Sequence, residues 1–252
     1  MKKQFSIVIG ILTLAFGALL AGGLMTGGCM IYSSTPTISG SGHVVTEPRL
    51  VSGFDRVRIG GSGHLTIQQG DEESLTITTD DNLLPYLKSS VGGGELRIGT
   101  DNVNLRPTHG IQYLLKLKRL RGVHLSGALE ADADRLQTDD LAFSISGSGR
   151  IGIGRLEARN LDVQVSGSGD IRLAGKVEGQ HIGISGSGDY HAENLESDRV
   201  EAGISGSGTL TVWAKSALNA GVSGSGEINY YGSPRVDAHT SGSGHVRNLG
   251  NK

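Results

Sequence analysis

The sequence predicts an all-β protein that winds as a right-handed parallel β-helix with coils of 18–20 residues. Three observations support this prediction. Of 252 residues, 41 are glycine, Ser-Gly-Ser-Gly recurs seven times, and the residues around each copy alternate between apolar and polar. Glycine this abundant without a period of three excludes collagen, and a single cysteine excludes a disulfide scaffold.

The first 28 residues form a candidate secretion signal. Met1, Lys2 and Lys3 precede 20 uncharged residues, 5–24, and small residues then lead to Cys29. This order is typical of a signal peptide. It resembles a bacterial lipoprotein signal, which implies cleavage before Cys29, lipidation of its thiol and attachment to the bacterial cell envelope, at the outer membrane or cell surface. An uncleaved membrane anchor and an ordinary signal with an incidental cysteine are the alternatives.

The rest of the chain divides into a tether and a solenoid. Residues 29–37 are short of apolar patterning and are interpreted as the tether, and residues 38–252 as the β-helix domain. Within that domain, residues 50–125 have strand-like runs without the corner motif, whereas residues 126–248 repeat regularly. We expect the irregular stretch to begin and cap the solenoid; a separate small β-domain is the alternative.

The repeat itself sets the coil length. Six of the intact copies follow one another at spacings of 20, 19, 20, 18 and 18 residues. A fixed period near 20 indicates a solenoid rather than a flexible linker. Degenerate copies occupy residues 60–63 and 126–129. The intact copies begin at Ser39, Ser146, Ser166, Ser185, Ser205, Ser223 and Ser241.

Residues on both sides of each motif alternate as they do in half-buried strands. With the first serine of a copy as position 0, positions −5, −3, −1, +5 and +7 are mostly apolar, and the residues between them are mostly polar or glycine. A further apolar residue often follows near position +10. Because equivalent strands run the same way and no helical pattern is available for crossovers, the coils must stack in parallel. Examples are Leu141, Phe143, Ile145, Ile151, Ile153 and Leu156.

The motif suits a tight corner between strands. Glycine tolerates positive φ and permits close approach of stacked backbones, and the serines would form a ladder at the strand spacing of about 4.8 Å. We interpret the ladder as a structural corner. A binding strip for sugar or ice is the alternative.

These features together resemble a known family. The signal, the lead-in Phe54-Asp55-Arg56-Val57, corners continuing as Gly149-Arg150-Ile151, and the closing stretch 226–234 are similar to the putative auto-transporter adhesin head GIN domain family. The similarity spans roughly residues 50–248. It implies a secreted or surface-bound bacterial protein with a β-helical fold.

Two groups of outward residues are the candidate ligand surface. Asp170 and Asp189 share position +4 in successive coils, and Trp213 and Tyr231 share position +8. For the aromatic pair we favour rings that pack inside where the strand bends; adjacent exposed rings, which suit a sugar or a protein partner, are the alternative. The two aspartates, with Arg150 one coil away, form either an acid/base pair or a solvated ion-pair face.

The sequence argues against several other activities. The formal net charge of −2 leaves no basic patch for nucleic acid. Aspartate follows only two corners, which disfavours calcium repeats, and the histidines lack zinc spacing. We therefore expect no cofactor, no metal and no catalytic residue. The favoured function is a non-enzymatic surface lipoprotein of the binding or adhesion type, with a surface glycan or protein as partner. An envelope polysaccharide-active enzyme and a surface protein that self-associates through its solenoid ends are the alternatives.

Overall fold

The computed structural model describes residues 35–252, which form one compact unit with a core of its own. Within this range the regular structure consists of 17 β-strands and one short 3-10 helix, Leu84–Tyr86. The predicted signal segment and the lipidation site Cys29 lie outside the described residues, as does most of the tether.

The strands fall into an irregular first part and a regular second part. The first part comprises β1 (Thr37–Ser39), β2 (Val44–Arg49), β3 (Arg56–Gln69), β4 (Ser74–Asp80), β5 (Leu87–Gly92), β6 (Glu95–Thr100), β7 (Asn104–Arg106) and β8 (Gln112–Leu117). The second comprises β9 (Gly122–Gln137), β10 (Asp140–Gly147), β11 (Arg150–Gly167), β12 (Asp170–Gly186), β13 (Asp189–Gly206), β14 (Thr209–Gly224), β15 (Glu227–Tyr231), β16 (Arg235–Gly242) and β17 (His245–Asn248).

Each strand from β11 to β14 is one whole coil of a β-solenoid. These strands have 16–18 residues, start just after one corner and end at the next. All pair in parallel with the preceding and following coils, and the first serine of each corner lies beside the same serine of the next coil. The prediction of a parallel β-helix with Ser-Gly-Ser-Gly corners is therefore confirmed.

Coils of unequal length stay in register because the extra residues bulge out away from the corners. The pairing shifts between Ile153 and Leu156, between Arg172 and Ala174, and between Ala192 and Glu196. A bulge leaves an added residue unpaired and bends the strand locally. The corner columns and the strands beside them thus remain aligned while the coil length varies.

The core consists of the apolar columns that the alternation predicts. Leu141, Phe143 and Ile145 before one corner and Ile151 and Ile153 after it are all buried. The apolar residues near position +10, Leu136, Leu156, Val177 and Leu195, are buried as well, although the register places Gly175 rather than Val177 between Leu156 and Leu195.

One polar cluster interrupts this core. Gln180 of β12 takes an apolar column position, and Tyr190 lies in the following strand, β13; both are buried. The Tyr190 hydroxyl donates to Gln180 Oε1 at 2.6 Å, and the Gln180 amide nitrogen donates to Ser197 Oγ. Because buried polar groups cost stability unless they are paired, this cluster is tolerated only as a connected unit.

The two glycines of each corner have different roles. The glycine at +1 adopts positive φ, for example 124° at Gly147 and 125° at Gly167. A Cβ at Gly147 would lie 2.7 Å from the carbonyl oxygen of Gly127 in the preceding coil. The glycine at +3, such as Gly149, has an ordinary φ but packs against Ile145 beneath it. The corners are linked through the backbone: the Ser148 amide donates to the Gly127 carbonyl at 2.9 Å.

The irregular strands cover the first coil. β3 and β9 pair in parallel, so the solenoid begins at β3, and Gly61 lies beside Gly127 in the corner column. β8 continues the sheet in parallel, and then β4 and β2 pair antiparallel. The hairpin of β5 and β6 adds to β3 through β6. This end of the stack is closed by β6 and β8, which keep the direction of the coils, and by β4 and β5, which run antiparallel to them.

The first Ser-Gly-Ser-Gly copy is not a corner. In this copy the positive φ of 84° belongs to Gly42, while Gly40 has none. Asp80 at the end of β4 accepts hydrogen bonds from the Gly42 amide at 2.8 Å and from the Thr108 amide and hydroxyl at 2.9 and 2.7 Å. These bonds lower the pKa of Asp80. Through Asp80, this first copy therefore links the connection between β1 and β2 to β4 and to the loop before β8.

The opposite end of the stack differs. β16 pairs with β14 and β17 pairs with β15, each on one side only among the described residues. Every residue of β16 is exposed, including Val236 in the core phase. The residues after β17 run beside β15, where the Leu249 amide donates to the Tyr230 carbonyl at 2.8 Å.

Candidate functional site

The candidate residues lie on one surface, which we call the outer face. It consists of the outward side chains at positions +4, +6 and +8, on the strand segment that follows each corner. Parallel register aligns these positions from coil to coil, so Arg150, Asp170, Asp189 and Thr209 form one column. Position +6 forms the next column, with Asp132, Gly152, Arg172, His191, Thr211 and Asn229.

The two predicted aspartates are neighbours, as expected from their shared position. Asp170 Oδ2 pairs with Arg172 Nη1 at 2.8 Å and with Arg150 Nε at 3.7 Å. Asp189 Oδ1 accepts the Thr209 amide at 3.2 Å. Asp170 is thus the centre of an ion-pair network that extends through Arg150 to Glu130, at 2.7 Å.

The two predicted aromatic residues are also neighbours. Trp213 and Tyr231 lie side by side in β14 and β15, in the phase of the strand that alternates with the buried residues Val212 and Ala214. Both side chains are half-buried. The Lys252 ammonium lies 5.6 Å from the Trp213 ring centroid and 5.4 Å from that of Tyr231, within the range of a cation–π interaction. Sequence reasoning did not place Lys252 there, because the chain beyond the last repeat has no pattern.

A groove of about 390 Å³ crosses the outer face. The aromatic pair does not line it, but Lys252 contacts both the rings and Asn194 of the groove. Gly152 and Gly154 line it, together with carboxylates of β9 and β13 and the cation Arg172 of β12. It reaches Asn194, whose side-chain oxygen accepts a hydrogen bond from Lys252 at 2.6 Å. The charged lining comprises Asp132, Asp134, Arg172, His191 and Glu193.

Three acceptors on the outer face lack donors. Asp170 Oδ1, Glu193 Oε2 and Asn229 Oδ1 are covered by neighbouring side chains and accept no hydrogen bond from any described residue. An unpaired buried acceptor costs about 1–3 kcal/mol. A ligand that displaces the covering side chains and supplies hydroxyl or amide donors would recover part of that cost.

A larger groove, of about 800 Å³, lies on another side of the solenoid, before the corners. Arg56 and Arg121 of the first coils stand at one end, and Asp162, His181 and Glu201 line the successive coils. Because Arg56 and Arg121 lie outside the regular repeat, the repeat pattern does not predict this groove.

Among residues 35–252, no group of three or more His, Cys, Asp or Glu side chains is arranged to hold a metal ion. His64, for example, lies 3.5 Å from Glu130 and from Asp132 as a surface pair. The same part of the chain has no helix that is long and apolar enough to span a membrane.

Comparison with known proteins agrees with the fold. Residues 53–234 match the family model described as "Putative auto-transporter adhesin, head GIN domain". The chain belongs to this family. The predicted family resemblance is thus confirmed, and the adhesin-type family agrees with a location at the cell surface or outside the cell.

Solved structures of similar proteins have the same architecture. A putative adhesin from Bacteroides fragilis superimposes with a TM-score of 0.78 at 27% identity, covering 84% of this chain and 100% of the other. A putative lipid binding protein from Parabacteroides distasonis gives 0.72 at 26% identity, covering 84% and 99%. A putative adhesin from Parabacteroides merdae gives 0.63 at 21% identity, covering 85% and 99%, and shows the fold alone. No curated protein matches the chain.

Proposed function

We propose that this head GIN protein is a non-enzymatic binding module of the cell surface, and that its outer face binds a glycan. The observation that carries this proposal is the pairing of Trp213 with Tyr231, which Lys252 links to a polar groove. Aromatic rings pack against the C–H faces of sugars, while polar groups next to the rings orient the hydroxyls.

The unpaired acceptors support a ligand rich in donors. Asp170, Glu193 and Asn229 each present an oxygen without a donor, and sugar hydroxyls are donors spaced along a chain. Because the outer face repeats at the coil spacing, it suits an extended polymer better than a compact small molecule.

An envelope polysaccharide-active enzyme is the competing function, because Asp170 and Asp189 are adjacent carboxylates. Glycoside hydrolysis requires one of two carboxyl groups to donate a proton. Asp170 is instead paired with Arg172 at 2.8 Å, an arrangement suited to holding the surface in place. The binding function is therefore favoured.

Trp213 is the only tryptophan of the chain, so its fluorescence reports directly on the proposed site. Residues 35–252 have their own core, and this domain can be titrated with glycans selected by an array screen. We expect saturable fluorescence change on binding. Tyr231→Ala should weaken affinity about three- to tenfold, the equivalent of a lost aromatic contact of about 0.5–1.5 kcal/mol.

A matched control is Tyr86→Ala, because Tyr86 is an exposed tyrosine of the short helix at the capped end. The Tyr86→Ala variant should bind the glycan with the affinity of the unchanged domain. Binding of a glycan without a change in Trp213 fluorescence would contradict the assignment of the site. An equal loss of glycan affinity in Tyr231→Ala and Tyr86→Ala would contradict it as well. Hydrolysis of the glycan that stops in Asp170→Asn and Asp189→Asn would favour the enzyme.

A lipid is the second ligand class to be included in the screen, because one solved relative is described as a lipid binding protein. If lipid vesicles quench the fluorescence of Trp213 and glycans do not, the ligand of the outer face is a lipid headgroup rather than a glycan.

A further inference from the structure

The coil that contains β16 has an exposed sheet edge. β16 has one partner, β14, so the backbone groups along its other edge have none among the described residues. Its core-phase residues Val236, Ala238 and Thr240 are all exposed, whereas Leu218, Ala220 and Val222, which occupy the same columns one coil earlier, are buried.

The strand has only part of the usual protection of an edge, the charges of Arg235 and Asp237. Edge strands are commonly blunted by lysine, proline or a bulge. β16 contains neither lysine nor proline, and it pairs with β14 from Ala217↔Arg235 to Gly224↔Gly242 without a register shift. An edge of eight regular residues is long enough to accept another strand.

The side chains of β16 are complementary to a second copy of the same strand. In an antiparallel pair centred on Ala238, Asp237 of one copy lies opposite His239 of the other, and the contact occurs twice. In the core phase, Val236 lies opposite Thr240, and Ala238 lies opposite itself. Centring on Asp237 would instead oppose two carboxylates and place Arg235 against His239, which is unfavourable.

We propose that two copies of this protein associate end to end through antiparallel pairing of their β16 strands, with the two-fold axis at Ala238. The pairing satisfies the free backbone groups of both edges and covers the exposed core-phase residues. The two solenoid cores then continue into each other. The capped ends, with the strands β2 and β4, point away from the junction.

The oligomeric state of residues 35–252 tests this proposal. We expect sedimentation equilibrium to show a monomer–dimer equilibrium that shifts to the dimer at high concentration. Ala238→Arg places two guanidinium groups against each other on the axis. It should reduce the association constant of the dimer at least tenfold. Ser216→Arg, at an exposed position of β14 that is not part of the free β16 edge, is the matched control and should not change the association constant. Thermal unfolding of both variants shows that the fold is kept.

A cysteine tests the register. Directly opposed antiparallel residues have Cα atoms about 4.5–5.5 Å apart, within the range of a disulfide. Ala238→Cys should therefore form an intermolecular disulfide on mild oxidation, whereas Ser216→Cys should not. The domain has no other cysteine, because Cys29 precedes it. A strict monomer at every concentration, or a dimer that Ala238→Arg leaves intact, would overturn the proposal, and equal cross-linking of both cysteine variants would overturn the register.

Discussion

At the scale of single residues, glycine has two distinct uses in this solenoid. Gly147 occupies a left-handed φ of 124°, and the carbonyl of Gly127 lies against the place where a Cβ would be. Gly203, two residues before a corner, has an ordinary φ, and the nearest atom to its Cβ position is the Ile182 carbonyl oxygen at 3.9 Å. Only Gly147 has a backbone conformation and a close contact that exclude a side chain.

Alanine substitutions should separate these two uses. Gly147→Ala combines a strained φ with overlap against the preceding coil, so we expect it to lower the free energy of unfolding by about 2–4 kcal/mol. Gly203→Ala should leave that free energy unchanged or raise it by about 0.5–1 kcal/mol, because alanine loses less conformational entropy on folding. Urea unfolding of both variants measures the difference. Equal destabilisation would refute the distinction.

The sequence predicted the residues that repeat and missed the ones that do not. Ile145, Phe143 and Ile151 were predictable as core because alternation and period act together at these positions. The acceptors at Glu193 and Asn229, the Lys252 contact and the hydroxyl of Tyr190 against Gln180 depend on which single residue fills one place in one coil. A repeat pattern carries no information about such exceptions.

At the scale of elements, the carboxylate of Asp80 links the strands that cover the first coil. Asp80 joins the connection between β1 and β2 to the loop before β8 through three hydrogen bonds. The Thr108 hydroxyl and amide are the main causes that lower the pKa of Asp80 below its ordinary value of 3.8. A carboxyl group with a lowered pKa stabilises the fold above that ordinary value, and the stabilisation is lost as the pH falls through the lowered pKa.

We therefore expect Asp80→Asn to lower the melting temperature by several degrees near neutral pH, with a difference that shrinks as the pH falls below 3.8 and through the lowered pKa of the native carboxyl. Asp71→Asn, at an exposed turn, is the control and should have little effect. Hydrogen exchange should show faster exchange in β1 and β2 of the Asp80 variant. A difference that stays constant with pH would contradict the role of the charge.

At the scale of the whole molecule, we propose that the solenoid is displayed on the cell envelope through a lipid on Cys29. The order of the N-terminal residues supports this proposal, and the membership of an adhesin-type family agrees with it. The capped end of the stack lies nearest in sequence to the anchor, because β1 starts at Thr37.

Metabolic labelling with a fatty acid tests the anchor in the bacterial cell. The full chain should incorporate the label and fractionate with membranes, whereas Cys29→Ala should lose both the label and the cleavage that precedes it. An unlabelled protein that is still cleaved would point to an ordinary secretion signal. An unlabelled, uncleaved protein in the membrane would point to a spanning anchor.

The placement of the bulges away from the corners has a consequence for how such a protein can change its length. Because every coil presents the same aligned columns to its neighbours, a coil can be duplicated or deleted as a unit while both ends keep their own contacts. Each added coil would extend the rod by about 4.8 Å, the spacing of neighbouring strands. The distance between anchor and outermost coil is therefore a quantity that evolution can adjust in small, equal steps.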